Sequence, residues 1–186
     1  YIVFGGTAPT SSTPISGTTV YDGAVSAFGR DLNSVFDIAG KTGSLSWEVS
    51  GTAPNRVATI QWKEFRPTYS TSTTSAYTFN FQIKLYETSN VVSTVYSAGG
   101  YLVGSTSYSS TVQIGLRGLT NADFNNRVNA STALFTSSTA GTANNSTQSF
   151  NTTVSPPGMP TEGLIYTWTP PTCYGPKAPF NYTATT

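Results

Sequence analysis

TFNFQIKLY, the stretch from Thr78 to Tyr86, decides the fold. Its apolar residues Phe79, Phe81, Ile83 and Leu85 alternate with polar neighbours, so one face of an extended chain is apolar and the other is polar. This two-residue period is typical of a β-strand that buries one face. The stretch therefore predicts a central strand of a sheet.

The same alternation recurs along most of the chain. With 78–86 it gives about eight strands, the number found in jelly-roll and lectin-like sandwiches. No window shows apolar residues at helical spacing. We therefore predict an all-β fold, a two-sheet antiparallel β-sandwich of the jelly-roll or lectin-like kind. The other predicted strands are Ser44–Ser50, Arg56–Phe65, Val91–Tyr96, Thr111–Arg117, Ser131–Thr136, Thr147–Thr152 and Leu164–Thr169.

The apolar faces of these strands predict the core. Trp47 and Trp168 lie on alternating apolar faces, so both are expected to be buried. Two stretches, 22–32 and 121–126, are compatible with short helical turns. The predicted core residues are Ile60, Trp62, Phe79, Phe81, Ile83, Leu85, Val112, Ile114 and Leu116.

Composition excludes several classes of partner. Only 9% of the residues are charged, the net charge is +1, and the Lys and Arg residues are scattered along the chain. Such a distribution attracts neither nucleic acid nor an anionic membrane surface. No apolar run approaches the roughly 18 residues of a membrane span. Abundant Thr, Ser, Asn, Gly and Tyr with so little charge favour an extracellular location.

The sequence predicts a protein that is not an enzyme and has no catalytic residues, metal site or cofactor. It contains no histidine, so Ser-His-Asp and Cys-His triads are impossible. Cys173 is the single cysteine, which rules out an internal disulfide. The eight acidic residues are dispersed, and the nearest calcium candidate, Asp22 with Asp31, lacks the dense spacing of a dedicated loop.

Tyrosines in the Ser/Thr-rich loops are the candidate binding residues. Exposed aromatic rings stack on sugars or pack against protein partners. We therefore predict that these tyrosines are exposed and contact a ligand or partner. They are Tyr69, Tyr77, Tyr101 and Tyr108.

Four motifs resemble a β-sandwich module that recurs in large surface and secreted multidomain proteins of Bacteroidetes, notably flavobacteria. Proteins of this kind are exported by the type IX secretion system and held at the cell surface. The motifs are GTAPNRVATIQWKEF (51–65), FNFQIKLYETSNVVSTVY (79–96), VQIGLRG (112–118) and PTEGLIYTWTPP (160–171).

The resemblance implies a domain organisation. Residues 1–171 would form the sandwich without its N-terminal strands, and 172–186 would be a linker or the start of a fibronectin type III-like domain. A sheet lacking strands leaves unpaired backbone groups. We therefore expect other domains of the parent chain, or neighbouring copies, to contribute a strand by β-strand addition.

Two functions follow as expectations. The first is a non-catalytic structural or adhesive module of a large bacterial surface protein or filament, located outside the cell or on its surface. The alternative is a carbohydrate-binding module attached to a secreted enzyme, with glycans as partners.

Overall fold

The computed structural model confirms an all-β sandwich built from two antiparallel sheets. Part of one predicted strand (131–133), Tyr69, Cys173 and the predicted linker 172–186 lie outside the described residues. The structure describes residues 1–9, 11–36, 38–68, 75–129, 134–153 and 158–170.

Twelve strands and one short 3-10 turn make up the described part. The turn spans Phe135–Ser137. Among the described residues, no helix has the length and apolar character of a membrane span. The strands are β1 (Ile2–Val3), β2 (Ala24–Gly29), β3 (Leu32–Ser34), β4 (Ser44–Ser50), β5 (Val57–Pro67), β6 (Ala76–Tyr86), β7 (Val92–Val103), β8 (Ser109–Arg117), β9 (Phe124–Val128), β10 (Thr139–Ala140), β11 (Gln148–Asn151) and β12 (Ile165–Trp168).

The strands divide into a front and a back sheet of six strands each. The front sheet has the order β1-β2-β8-β9-β10, with β11 also paired to β8. The back sheet has the order β12-β7-β6-β5-β3, and β4 pairs with β5 beside β3. The predicted central strand is therefore confirmed, because β6 lies between β5 and β7 and buries Phe79, Phe81 and Ile83.

Phe28 of β2 joins the two sheets. Its ring centroid lies 4.8 Å from that of Phe79 and 6.5 Å from that of Phe81, both in the back sheet. It also lies 5.2 Å from Phe150 in β11 and 6.3 Å from Phe135 in the 3-10 turn. Aromatic pairs at these distances add to the stability gained by burying apolar area. Phe28 is thus the centre of the core.

The predicted core is confirmed at its centre, and the predicted residues at its margins are only partly buried. Six of the nine predicted residues are buried, while Ile60, Leu85 and Leu116 are partly buried and pack against the core from its edge. Tyr96 of β7 adds a polar link, because its hydroxyl donates to the Ala27 carbonyl of β2 at 2.6 Å. Burial raises the pKa of Tyr96, which keeps this donor protonated.

A bulge in β5 separates the pairing of β4 from that of β3. The register of β5 against β6 shifts between Trp62 and Phe65, and Glu64 has a positive φ of 58°. The Asn80 side chain accepts a hydrogen bond from the Glu64 amide at 2.8 Å. The extra residue returns Phe65 to the core side, where it pairs with Phe79. Beyond the bulge β3 replaces β4 as the partner of β5.

The expectation of a helical turn within 22–32 is wrong, because this stretch contains β2. Every residue of β2 is buried, so the strand lacks the alternation that would reveal it. The segment around Ile15 lies against β2, since a Cβ atom at Gly29 would be 2.7 Å from Pro14 Cγ. The Gln113 side chain of the neighbouring β8 accepts hydrogen bonds from the Ile15 and Ser16 amides.

Two further local predictions are also wrong. The stretch 121–126 enters β9 instead of a helical turn, because Phe124 to Asn126 pair with β8. The described part of the strand predicted at 131–136 forms the start of the 3-10 turn. Its Phe135 is buried and packs edge-on against Tyr96.

We predict that Phe28→Ala lowers the free energy of unfolding by about 3–5 kcal/mol, because it empties the space between the two sheets. Urea denaturation followed by tryptophan fluorescence measures the change. Phe36→Ala is the matched control, since 63% of the Phe36 side chain is exposed. Equal losses for the two variants would contradict the central role of Phe28.

Candidate functional site: the β4 surface

Tyr77, Tyr101 and Tyr108, the three predicted tyrosines that the structure describes, do not form an exposed surface. Tyr77 is only 5% exposed, so the expectation that it lies in solvent is wrong. Its ring lies over Gly99, where a Cβ atom would be 2.5 Å from Tyr77 Cε1. The ring also meets Tyr101 edge-on at 5.3 Å. Tyr77 fills the space that a glycine leaves in the neighbouring strand, and burial raises its pKa to about 12.

Tyr101 and Tyr108 are half-buried and hold the loop between β7 and β8. The Tyr101 hydroxyl lies 2.9 Å from the Thr152 hydroxyl, which also accepts the Tyr108 amide at 2.8 Å. The Tyr108 hydroxyl accepts a hydrogen bond from Arg30 at 2.9 Å. These contacts give both tyrosines a structural role. A role for Tyr69, Tyr101 or Tyr108 in ligand binding stays a prediction.

Strand β4 carries three large apolar side chains that are exposed to solvent. Trp47 is 75% exposed, Leu45 62% and Val49 51%. All seven residues of β4 are exposed, so the strand is open to solvent on both faces. The prediction that Trp47 belongs to the core is therefore wrong.

Register explains why β4 is apolar and still exposed. Leu45, Trp47 and Val49 lie opposite Trp62, Ile60 and Ala58 of β5. Directly opposite residues of antiparallel strands point to the same face, so the apolar face of β4 continues the core face of the back sheet. We call the side chains of Leu45, Trp47 and Val49 the β4 surface.

The front sheet does not reach this part of the back sheet. Trp62 is still buried, stacked on Phe81 at 4.9 Å, whereas its cross-strand neighbour Leu45 is mostly exposed. The limit of the covered core therefore lies between β5 and β4. Apolar side chains beyond that limit keep their contact with water, which is unfavourable in proportion to the exposed area.

An open groove of about 380 Å³ lies at the end of the β4 surface, beside Val49, Ala58 and Leu85. Arg56 and Glu87 line its rim and form an ion pair, with 2.6 Å between Arg56 Nη2 and Glu87 Oε1. Arg56 also donates from Nε and from its backbone amide to Glu87 Oε2. These bonds lower the pKa of Glu87 to about 2 and raise that of Arg56.

The opposite face of β4 is polar. Ser46 and Glu48 lie opposite Gln61 and Thr59 of β5, and the Gln82 side chain of β6 donates to Gln61 at 2.7 Å. This face resembles an ordinary solvated sheet. The strand therefore presents one apolar and one polar face, and its apolar face alone is unusual for an exposed position.

The arrangement suits contact with another surface better than chemistry. The residues that the structure describes include no group of three or more His, Cys, Asp or Glu side chains able to hold a metal ion. Two of the carboxylates are held by cations, Glu64 by Lys41 at 3.4 Å and Glu87 by Arg56. The apolar β4 surface offers packing area, and the charged groups described at its end, Arg56 and Glu87, are paired with each other.

Reasoning from sequence missed the β4 surface although it identified the strand correctly. The alternation of Leu45, Trp47 and Val49 gives the face on which they lie. It does not show whether another sheet covers that face, because that depends on contacts between distant segments. No signal in the sequence of β4 distinguishes a covered apolar face from an exposed one.

Comparison with known protein families identifies a match over most of the chain. The family model described as NIDO related matches residues 1–170, which include every described strand. No curated protein and no solved structure matches the chain. The family match covers the sandwich that the sequence motifs predicted.

We predict that the Arg56–Glu87 pair makes stability depend on pH between about 4.5 and 2. Glu87 has a pKa of about 2 in the folded chain and an ordinary value of 4.5, so the unfolded chain binds the proton first as pH falls. The stabilisation is therefore present above pH 4.5 and is lost as pH falls towards 2.

Urea midpoints measured from pH 6 to pH 2 test this prediction. Glu87→Gln and Arg56→Gln should each be less stable than the parent at pH 6, and both differences should narrow as pH falls. NMR titration of the Glu87 carboxyl gives the pKa directly. A value near 4.5 in the folded chain would contradict the prediction.

Proposed function

The chain belongs to the NIDO-related family, and from this premise we propose that it is a non-catalytic structural or adhesive module that makes protein contacts through the β4 surface. Family membership supports an extracellular module. We further propose that the chain is part of a large surface protein or filament of Bacteroidetes that is exported by the type IX system and displayed on the cell.

Exposure of the β4 surface is the observation that carries this proposal. Leu45, Trp47 and Val49 form a continuous apolar stripe on an edge strand. Contiguous exposed apolar area on a soluble domain commonly marks a contact with a partner. Tryptophan is also the residue type most enriched among those that dominate binding energy.

The acidic residues support a non-catalytic role. Glu64 and Glu87 pair with cations, and the Glu162 carboxylate accepts the Ala98 amide at 2.9 Å. The chain has no histidine to act as a general base. Each of these carboxylates has a structural partner, which leaves contact as the function best supported.

Carbohydrate binding remains the second candidate because of Trp47. Its ring is 75% exposed and offers a flat face on which a sugar could stack. The loop tyrosines give less support, since Tyr77 is buried and Tyr101 and Tyr108 are engaged in hydrogen bonds.

We predict that beads coated with the full chain attach to a protein surface through β4. Attachment is counted under flow on three surfaces: the same chain, whole bacterial cells and immobilised glycans. The triple variant Leu45→Ser, Trp47→Ser, Val49→Ser should lose most attachment to the protein or cell surfaces. The expected cause is loss of apolar packing area.

Ile165→Ser is the matched control, because Ile165 is 53% exposed on β12 at the other edge of the back sheet. It should attach like the parent, and both variants should keep the parent's thermal unfolding. Attachment to glycans alone would favour the carbohydrate-binding candidate. Equal attachment by the parent and the triple variant would reject a contact function for β4.

A further inference from the structure

We propose that β4 pairs with β4 of a second copy of this chain, antiparallel and about a twofold axis at Trp47. The inference rests on the proposed contact function and names its partner. The back sheets of the two copies would then form one continuous sheet, with the two β4 surfaces side by side.

The free edge of β4 has the properties of a strand that accepts a partner. Within the part of the chain that the structure describes, β4 pairs with β5 on one side, over all seven residues and without a register shift. Its other edge exposes backbone donors and acceptors. Ser44–Ser50 contains no proline, no lysine and no bulge, and its one charged residue, Glu48, is the single protective device of this edge.

The sequence of β4 is complementary to itself in one antiparallel register. Centring the pair on Trp47 places Trp47 opposite its own copy, Leu45 opposite Val49, and Glu48 opposite Ser46. All seven residues are then paired, with apolar residues facing apolar residues and the carboxylates facing hydroxyls. Directly opposite pairs of this kind stabilise antiparallel strands.

Other registers of the two β4 strands pair their residues less favourably. Centring on Glu48 would place two carboxylates directly opposite each other, which is destabilising. Centring on Ser46 pairs only Ser44 to Glu48 within the strand. A shift by one residue would place the apolar stripe of one copy opposite the polar face of the other. The sequence therefore selects both the partner and the register.

Charge also favours a second copy over a strongly charged partner. Glu48 is the only charged residue in β4, and in the centred register it meets a serine. The remaining residues are three apolar side chains and three serines. This is the composition of a neutral, self-complementary surface, as isologous contacts require.

Sedimentation velocity of the full chain tests the pairing. A Cys173→Ser background excludes dimers linked through the single cysteine. We expect a monomer–dimer equilibrium that shifts with protein concentration. Trp47→Lys should weaken dimerisation at least tenfold, because it places two ammonium groups at the twofold axis. Ile165→Lys, the control at the other edge of the sheet, should dimerise like the parent.

Cysteine cross-linking tests the register without altering Trp47. Ser44 of one copy faces Ser50 of the other, and directly opposite residues lie about 4.5–5.5 Å apart between Cα atoms, within disulfide range. In the Cys173→Ser background, oxidation of a mixture of Ser44→Cys and Ser50→Cys chains should therefore give linked dimers. Neither variant alone should cross-link, because equivalent residues are six positions apart, roughly 20 Å.

Each outcome either supports or overturns the pairing. A monomer at all concentrations, a dimer unaffected by Trp47→Lys, or equal cross-linking by each variant alone overturns it. If the parent stays monomeric while β4-dependent attachment to bacterial cells persists, the contact function stands and this pairing fails. If β4-dependent attachment is lacking on every surface, the proposed function itself fails.

Discussion

The contact between Phe28 and the back sheet determines where the two sheets overlap. Phe28 packs on Phe79 and Phe81, so β2 lies over β6 near the middle of the back sheet. Strands β8, β9 and β10 extend from β2 to one side, and only the two-residue β1 lies on the other. Trp168 of β12 donates to Asn125 of β9. This offset covers the β7 and β12 side and leaves β4 outside the core. Exposure of β4 is therefore a consequence of how the core is packed.

Contacts at its two ends and pairing with β5 hold the exposed strand β4 in place. At one end, the Glu64 carboxylate accepts the Thr42 amide at 3.0 Å just before β4 begins. At the other, the Arg56–Glu87 pair joins the β4–β5 turn to the β6–β7 turn. Pairing with β5 satisfies one backbone edge along the whole strand. Local bonds thus hold an apolar surface in place without burying it.

Sequence patterns predicted the parts of the fold that depend on local alternation and failed where burial depends on distant segments. Thr78–Tyr86 reads as a half-buried strand and is one, because its two faces differ. Residues 24–29 were misread because the segment around Ile15 lies against β2 and every residue of the strand is buried, which removes the alternation. Trp47 shows the converse case, in which a regular alternation has no covering sheet. Both errors concern what packs on a strand, which the strand's own residues do not encode.

Separation of the β4 surface from the core has a consequence for function. Leu45 and Val49 add little buried area, so substitutions there alter contacts without emptying the space around Phe28. If the stripe were buried, the same substitutions would leave a cavity in the core, and such a cavity lowers the free energy of unfolding by several kcal/mol. An extracellular module built in this way can accept substitutions on β4 while its sandwich stays folded.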